Sequence, residues 1–254
     1  MKRHLTALAV AGLAAAAVTS PAGAVDTVPA QPLSQAMTPQ IKNCRALDTL
    51  TVPLRTSGAD LVPIYANDYA SETPSGAILD ANGVDVRLKL NNSLQDQLRA
   101  YMACETPIMR LTQGMANLAA DITEGDPRTE QVAVYQHAWS NGADAIVTRP
   151  SISSVADLSG ATIVLQAYGP HVDYMARLLA DGRDAVEQTG DSWQEPEIVM
   201  TPGLIGLYGD TPAAAFLEDA SIDAAFVTKT DANTLTSGGG TGTGAEGSVQ
   251  GAEI

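Results

Sequence analysis

The passage Ala145 to His171, AIVTRPSISSVADLSGATIVLQAYGPH, constrains what this chain can fold into more than any other. It reads as an extended run over Ala145–Thr148, a break at Pro150, and a short polar stretch leading to a small helix that ends near Gly160. A second strand follows at Thr162–Gln166, then a tight turn, Tyr168-Gly169-Pro170-His171, into another helix. Gly169 suits a helix N-cap, and Pro170, which has no N–H to lose, suits the first helical position. Backbone N–H groups left free at such a start favour an anion or a strong acceptor above the strand end. One passage thus supplies a strand, a crossover and a polar turn.

The flanking sequence repeats the theme. Before it, strands are expected at Leu50–Leu54, Val84–Leu90, Ile108–Leu111 and Val132–Gln136; the second alternates apolar and polar residues, the period of a half-buried strand. Between them, Leu61 to about Ala81 is mostly helical with an interruption at Pro74. Ser93 caps a helix with Asp96 three residues on, and Leu94, Leu98, Tyr101 and Met102 share one face. A further helix opens at Gln113-Gly114-Met115. After the central passage, a helix from Pro170 to Asp181 is expected to stop at Gly182. Then come a strand at Glu197–Met200, a helix opened by Thr211-Pro212, and a last strand at Asp223–Val227. Strands alternating with helices call for an α/β fold built on mainly parallel sheets flanked by helices. The order occurs twice, which predicts two lobes with a cleft at the carboxyl ends of their strands.

The domain reading follows from composition. Residues 1–24 look like a secretory signal: Lys2, Arg3 and His4, an apolar run from Leu5 to Val18, and Ala22-Gly23-Ala24 as the cleavage site. That run is short for a membrane span. Residues 25–47 are a Pro-, Gln- and Thr-containing leader expected to be mobile, 48–143 the first lobe, 144–230 the second, and 231–254 a Gly-rich segment returning toward the first. The formal charge of −15 becomes −17 once Lys2 and Arg3 leave with the signal, which argues against nucleic acid or anionic membrane surfaces as partners. Cys44 and Cys104 are the two cysteines, and an exported chain can join them, tying the leader to the end of a helix.

Turns after the expected strands collect neutral hydrogen-bonding and aromatic groups. They are Ser57 and Gly58 after the first strand, Gln113 after the third, and His137 and Trp139 after the fourth. In the second lobe they are Tyr168, Gly169 and His171, and Lys229 after the last strand. Such a set suits a cleft that hydrogen-bonds and stacks against a small solute. Each also has a plainer use: Ser57-Gly58 as a turn with a helix cap, His137 at a core edge, Tyr168 as a lid on a sheet end, and Lys229 as a solvated charge. Catalytic signatures are scarce. G-x-S-x-G and H-E-x-x-H do not occur, and the literal G-x-G-x-x-G at Gly242–Gly247 lies in a glycine-dense tract without an expected helix after it. Cys104 and His137 could form a nucleophile and base, but nothing in the sequence around Cys104 would activate it.

The passage SISSVADLSGATIVL from Ser151 resembles the opening of the second lobe in periplasmic substrate-binding proteins of ABC transporters, type II, of the nitrate/sulfonate/bicarbonate (taurine-like) group. Ser221-Ile222-Asp223-Ala224-Ala225-Phe226-Val227 is similar to the strand that heads back toward the first lobe there. The resemblance covers roughly Leu50 to Thr236. It implies a monomeric, exported, periplasmic two-lobed receptor without cofactor or catalysis, which closes on a small organic solute or anion and delivers it to an ABC permease. Two departures stand out. The family places a small hydroxyl residue and Gly where this chain has Tyr168-Gly169-Pro170-His171, and its members finish the first lobe with helices that the sequence to Ile254 does not supply. The alternatives are a periplasmic enzyme on the same scaffold, of pyrimidine or thiamine-precursor type, and a ligand-sensing envelope protein.

Overall fold

The computed structural model describes residues 25–38, 40–47 and 49–236. The signal-like segment and the Gly-rich run after Thr236 lie outside the described residues.

Two parallel-strand units carry the fold. In the first, β1 (Leu50–Leu54) pairs in parallel with β2 (Val86–Leu90), from Leu50 opposite Val86 to Leu54 opposite Leu90. One face of this pair buries Leu54, Val86 and Leu88 with Leu50, Val52, Ile64 and Leu79. Ile64 belongs to α2 (Leu61–Ala66) and Leu79 to α3 (Ile78–Ala81). The expected helix over 61–81 is therefore two short helices. Asp68 and Tyr69, with φ of 52° and 59°, turn the chain out of α2 before Pro74 is reached.

After the pair come α4 (Leu94–Met102) and α5 (Gln113–Thr123), whose buried faces share a separate core with the leader. Ser93 caps α4 by accepting from the Asp96 N–H, and Thr112 caps α5 by accepting from Met115. Each cap satisfies a donor that helix geometry leaves free.

The expected strands at 108–111 and 132–136 do not form. Gln97 of α4 hydrogen-bonds both the N–H and the C=O of Arg110, so a side chain occupies the backbone groups a ladder would use. The second segment runs irregularly at the surface, with Val132 77 % and Val134 83 % exposed. Residues 132–136 are all exposed, so the segment buries no face against the core.

The second unit is a four-stranded sheet in the order β3-β6-β4-β5. Its strands are β3 (Asp144–Thr148), β4 (Thr162–Gln166), β5 (Glu197–Thr201) and β6 (Ala224–Thr228). β4 pairs in parallel with both β5 and β6, whereas β3 runs antiparallel to β6, so the sheet is mixed. One face packs α7 (Pro212–Glu218) and α8 (Lys229–Leu235) around Phe216, Val227 and Leu235. The other packs α6 (Val172–Gln188) around Ile163, Leu165 and Phe226. A turn of 3-10 helix, Val155–Leu158, begins in a capping box between Ser154 and Asp157, and Gly160 (φ +72°) reverses the chain into β4.

Gly182 does not stop α6, which continues to Gln188. A Cβ there would lie 2.3 Å from the Val155 carbonyl oxygen, so glycine is what lets the helix approach the 3-10 turn. The helix start also differs from expectation. His171 is the N-cap residue, in αR conformation, and Gly169 and Pro170 belong to the preceding turn.

The leader is packed rather than mobile. Val28 bridges Met200 on the outer strand β5, while Leu33 in α1 (Leu33–Ala36) and Met37 are buried against α4 and α5. The Lys42 N–H bonds to the Met102 carbonyl, and Cys44 is disulfide-bonded to Cys104 just beyond α4. Burying Leu33 and Met37 stabilises the leader by roughly 1.5–3 kcal/mol each, which offsets the ordering of the chain between them.

Candidate functional site

The carboxyl ends of β1, β2 and β4 are brought together. Leaving β1, Thr56 exchanges two hydrogen bonds with the Asn92 side chain after β2, its N–H donating to Oδ1 and its hydroxyl accepting from Nδ2. Gln166, the last residue of β4, donates from Nε2 to the Asn92 carbonyl at 3.4 Å and to the Pro202 carbonyl at 3.2 Å. Its Oε1 is buried without a hydrogen-bond partner among the described residues. Gly169 lies so close to Gln166 that a Cβ would sit 2.4 Å from this oxygen. The two units therefore touch through their strand ends, as they also do where Asp173 of α6 covers Gly114 at the start of α5.

Around Arg55 the environment is ionic. Asp60, only 2 % exposed, accepts the Arg55 backbone N–H on Oδ2 and the Arg110 Nε–H on Oδ1. His137 donates from Nε2 to the Ala59 carbonyl at 2.7 Å and stands 3.5 Å from Asp60 Oδ1. Sequence reasoning missed Arg55, Asp60, Asn92, Arg110 and Gln166. The available signal was a charged pair, Arg55 and Asp60, bracketing the turn after an apolar strand.

The expected ligand residues separate into groups. Ser57 caps the 3-10 turn Gly58–Asp60 by accepting from Ala59, and it sits with Gly58 at the exposed mouth of the Arg55 region. Gln113 is exposed at the start of α5, and His137 joins the Asp60 cluster. Trp139 is 83 % exposed, away from any packed wall. Lys229 is half-buried as the first residue of α8, its N–H donating to the Ala143 carbonyl.

Tyr168 is withdrawn into the interior. It is 5 % exposed among Leu33, Met37 and Met115, and its hydroxyl donates to the Gln31 carbonyl, so its ring meets the leader rather than an open cleft. Burial pushes its phenol pKa up. Its φ of 52° places it in the left-handed region, where the turn after β4 needs it.

His171 is fully buried and presents Nε2 to Asp144 Oδ1 at 3.0 Å. The pair joins the start of α6 to the start of β3. Burial alone would raise the Asp144 pKa, but hydrogen bonds from His171 and Ser140, with the His171 charge, hold it below the usual carboxylate range. A lowered folded-state pKa means the contribution to stability is present above the ordinary value of about 4 and is lost as pH falls through the folded one. Asp144→Asn is thus expected to lower the melting temperature at pH 5, with the gap to wild type closing below about pH 4. Melts from pH 7 to pH 3 check this; a gap unchanged down to pH 3 would contradict it.

Cys104 is bonded to Cys44, so the sulfur weighed as a nucleophile beside His137 is not a free thiol. Among the described residues no group of His, Cys, Asp and Glu could hold a metal ion, and no helix is long and apolar enough to cross a membrane. Two concavities lie elsewhere, at the leader. One, of about 620 Å³, opens between Lys42, Lys89, Asp96 and Arg99; the other, of about 420 Å³, surrounds the disulfide. Neither is lined by an expected ligand residue.

No family model, no curated protein and no solved structure matches this chain.

Proposed function

We propose that this chain is an exported solute-binding protein of a two-lobed, type II periplasmic-binding-protein architecture. In this reading it captures a small molecule where the strand ends of 49–142 face those of 144–236 and passes it to an ABC permease. The observation that carries the reading is the meeting of Gln166 with Asn92, because it sets the carboxyl end of a second-unit strand against the first unit. Ligands of open α/β sheets collect at such strand ends. Residues from both units reaching one point make ligand binding and closure the same event, since a solute touching both favours the closed state.

A thermal-shift screen tests it. The panel is monocarboxylates, sulfonates, nitrate, neutral amino acids and heterocyclic amines. A true solute at a hundred times its Kd stabilises by about 2.7 kcal/mol, which for a chain of this size raises the melting temperature by roughly 5–10 °C. A flat response to the whole panel would sink the reading.

A further inference from the structure

We propose that Arg55, with Arg110 beside it, anchors a monoanionic organic carboxylate at the carboxyl end of β1. This deepens the solute-binding reading and rests on it. Arg55 is 6 % exposed, yet neither Nη1 nor Nη2 has a hydrogen-bond partner among the described residues. A buried guanidinium is ordinarily paired, because desolvating a charge without compensation is costly. Here Asp60, the one carboxylate of the cluster among the described residues, is committed elsewhere. Asp60 spends one oxygen on the Arg55 main-chain N–H and the other on Arg110 Nε. His137 donates to the Ala59 carbonyl.

Among the described residues two guanidiniums face one carboxylate, an excess of one positive charge, in a chain whose formal charge is −15. With so many carboxylates in the sequence, the cluster's lack of a second one is a local feature and not one of composition. Desolvation, then repulsion from Arg110, pull the Arg55 pKa down to about 10 against the pull of Asp60, so the group remains a cation at neutral pH.

The ligand class follows from shape and charge. Nη1 and Nη2 together offer a planar pair of donors, which two oxygens of one carboxylate match in a bidentate pairing. One excess charge suits a monoanion. Arg110, which shares Asp60 with the Arg55 backbone, has its side chain 22 % exposed. Thr56 and Asn92 are occupied with each other, whereas Nη1 and Nη2 of Arg55 have no partner among the described residues. The site lies one residue in sequence from the Thr56–Asn92–Gln166 chain of contacts.

The experiment compares wild type with Arg55→Met and Arg55→Lys by thermal shift and calorimetry, using acetate, lactate, benzoate, nitrate, methanesulfonate and neutral amino acids. At least one carboxylate is expected to raise the wild-type melting temperature. Arg55→Met should lose that shift while melting at or above the wild-type temperature without ligand, because an apolar chain of similar length removes an uncompensated charge. Arg55→Lys keeps the charge but loses the fork, and should bind roughly ten- to a hundredfold more weakly.

A purely structural arginine would show the reverse: Arg55→Met melting lower, and any carboxylate shift retained. Either result overturns the proposal, as does a response to nitrate or methanesulfonate without one to carboxylates. If neutral solutes shift both wild type and Arg55→Met, solute binding stands and this assignment falls. If nothing shifts either protein, both fall.

Discussion

Replacing Cys44 and Cys104 together by Ala is expected to lower the unfolding free energy by about 4 kcal/mol. The bridge spans a sequence separation of 60, and closing a loop of that size in the unfolded chain is worth between the roughly 3 kcal/mol of a 15-residue loop and 4.7 of a 100-residue loop. The bridge fixes the end of the leader to the end of α4, where the Lys42 N–H also bonds the Met102 carbonyl.

Cys104 adds a second, separable effect. It occupies the left-handed position after α4, with φ of 63°. Its N–H bonds to the Tyr101 carbonyl and that of Glu105 to the Ala100 carbonyl, the paired bonds of a Schellman ending. A side chain at that φ costs about 1 kcal/mol that glycine does not. Cys44→Ala with Cys104→Gly should therefore lose about 1 kcal/mol less than the double Ala variant. Urea titrations of the three proteins check both figures. A loss below about 1 kcal/mol for the double Ala variant would mean that the bridge does not restrain the unfolded chain as the loop-entropy argument requires.

The other large effect lies in the second unit. Phe226→Ala is expected to cost about 3–5 kcal/mol, the range for emptying a fully buried aromatic site. Phe226 is 0 % exposed on β6, the strand flanked by β3 on one side and β4 on the other. Its ring meets Tyr174 of α6 edge-on, with centroids 5.4 Å apart and planes at 87°. Neither neighbouring strand can close on the void without losing its own register. Tyr174→Leu should cost less, about 0.5–1.5 kcal/mol for the aromatic contact beyond lost area. Denaturant melts decide it: a Phe226→Ala loss near 1 kcal/mol would show that α6 collapses onto the sheet.

Much of the fold was legible where the signal is local. β1 and β4 fall at their expected bounds, because short apolar, β-branched runs between turn residues favour a strand wherever a face is buried. Ser93 and Thr211 cap the helices that follow them, since a cap is settled within four residues. The misreadings depend on distant partners. Gly182 resembles a helix stop, but only the position of Val155 shows that it permits close packing inside α6. Val132–Gln136 reads as a strand from its composition, yet it lies irregular and exposed, with no face buried against the core. The leader looks mobile by composition, and only the groove between α4 and α5 makes Leu33 and Met37 core residues.

By itself the sequence determined that the chain alternates strands and helices into mixed α/β structure with parallel pairing, and that two cysteines were available to bridge. Hydrophobic period and capping chemistry act over a few residues, and no other part of the chain can change them. Tertiary structure alone decided the composition of the site. It turned Tyr168 inward beneath the leader, set His171 on Asp144, and left Nη1 and Nη2 of Arg55 buried without a hydrogen-bond partner among the described residues while Asp60 served Arg110. Such pairings join residues up to 137 positions apart, as Tyr168 and Gln31 are, and their energies depend on which groups lose water together.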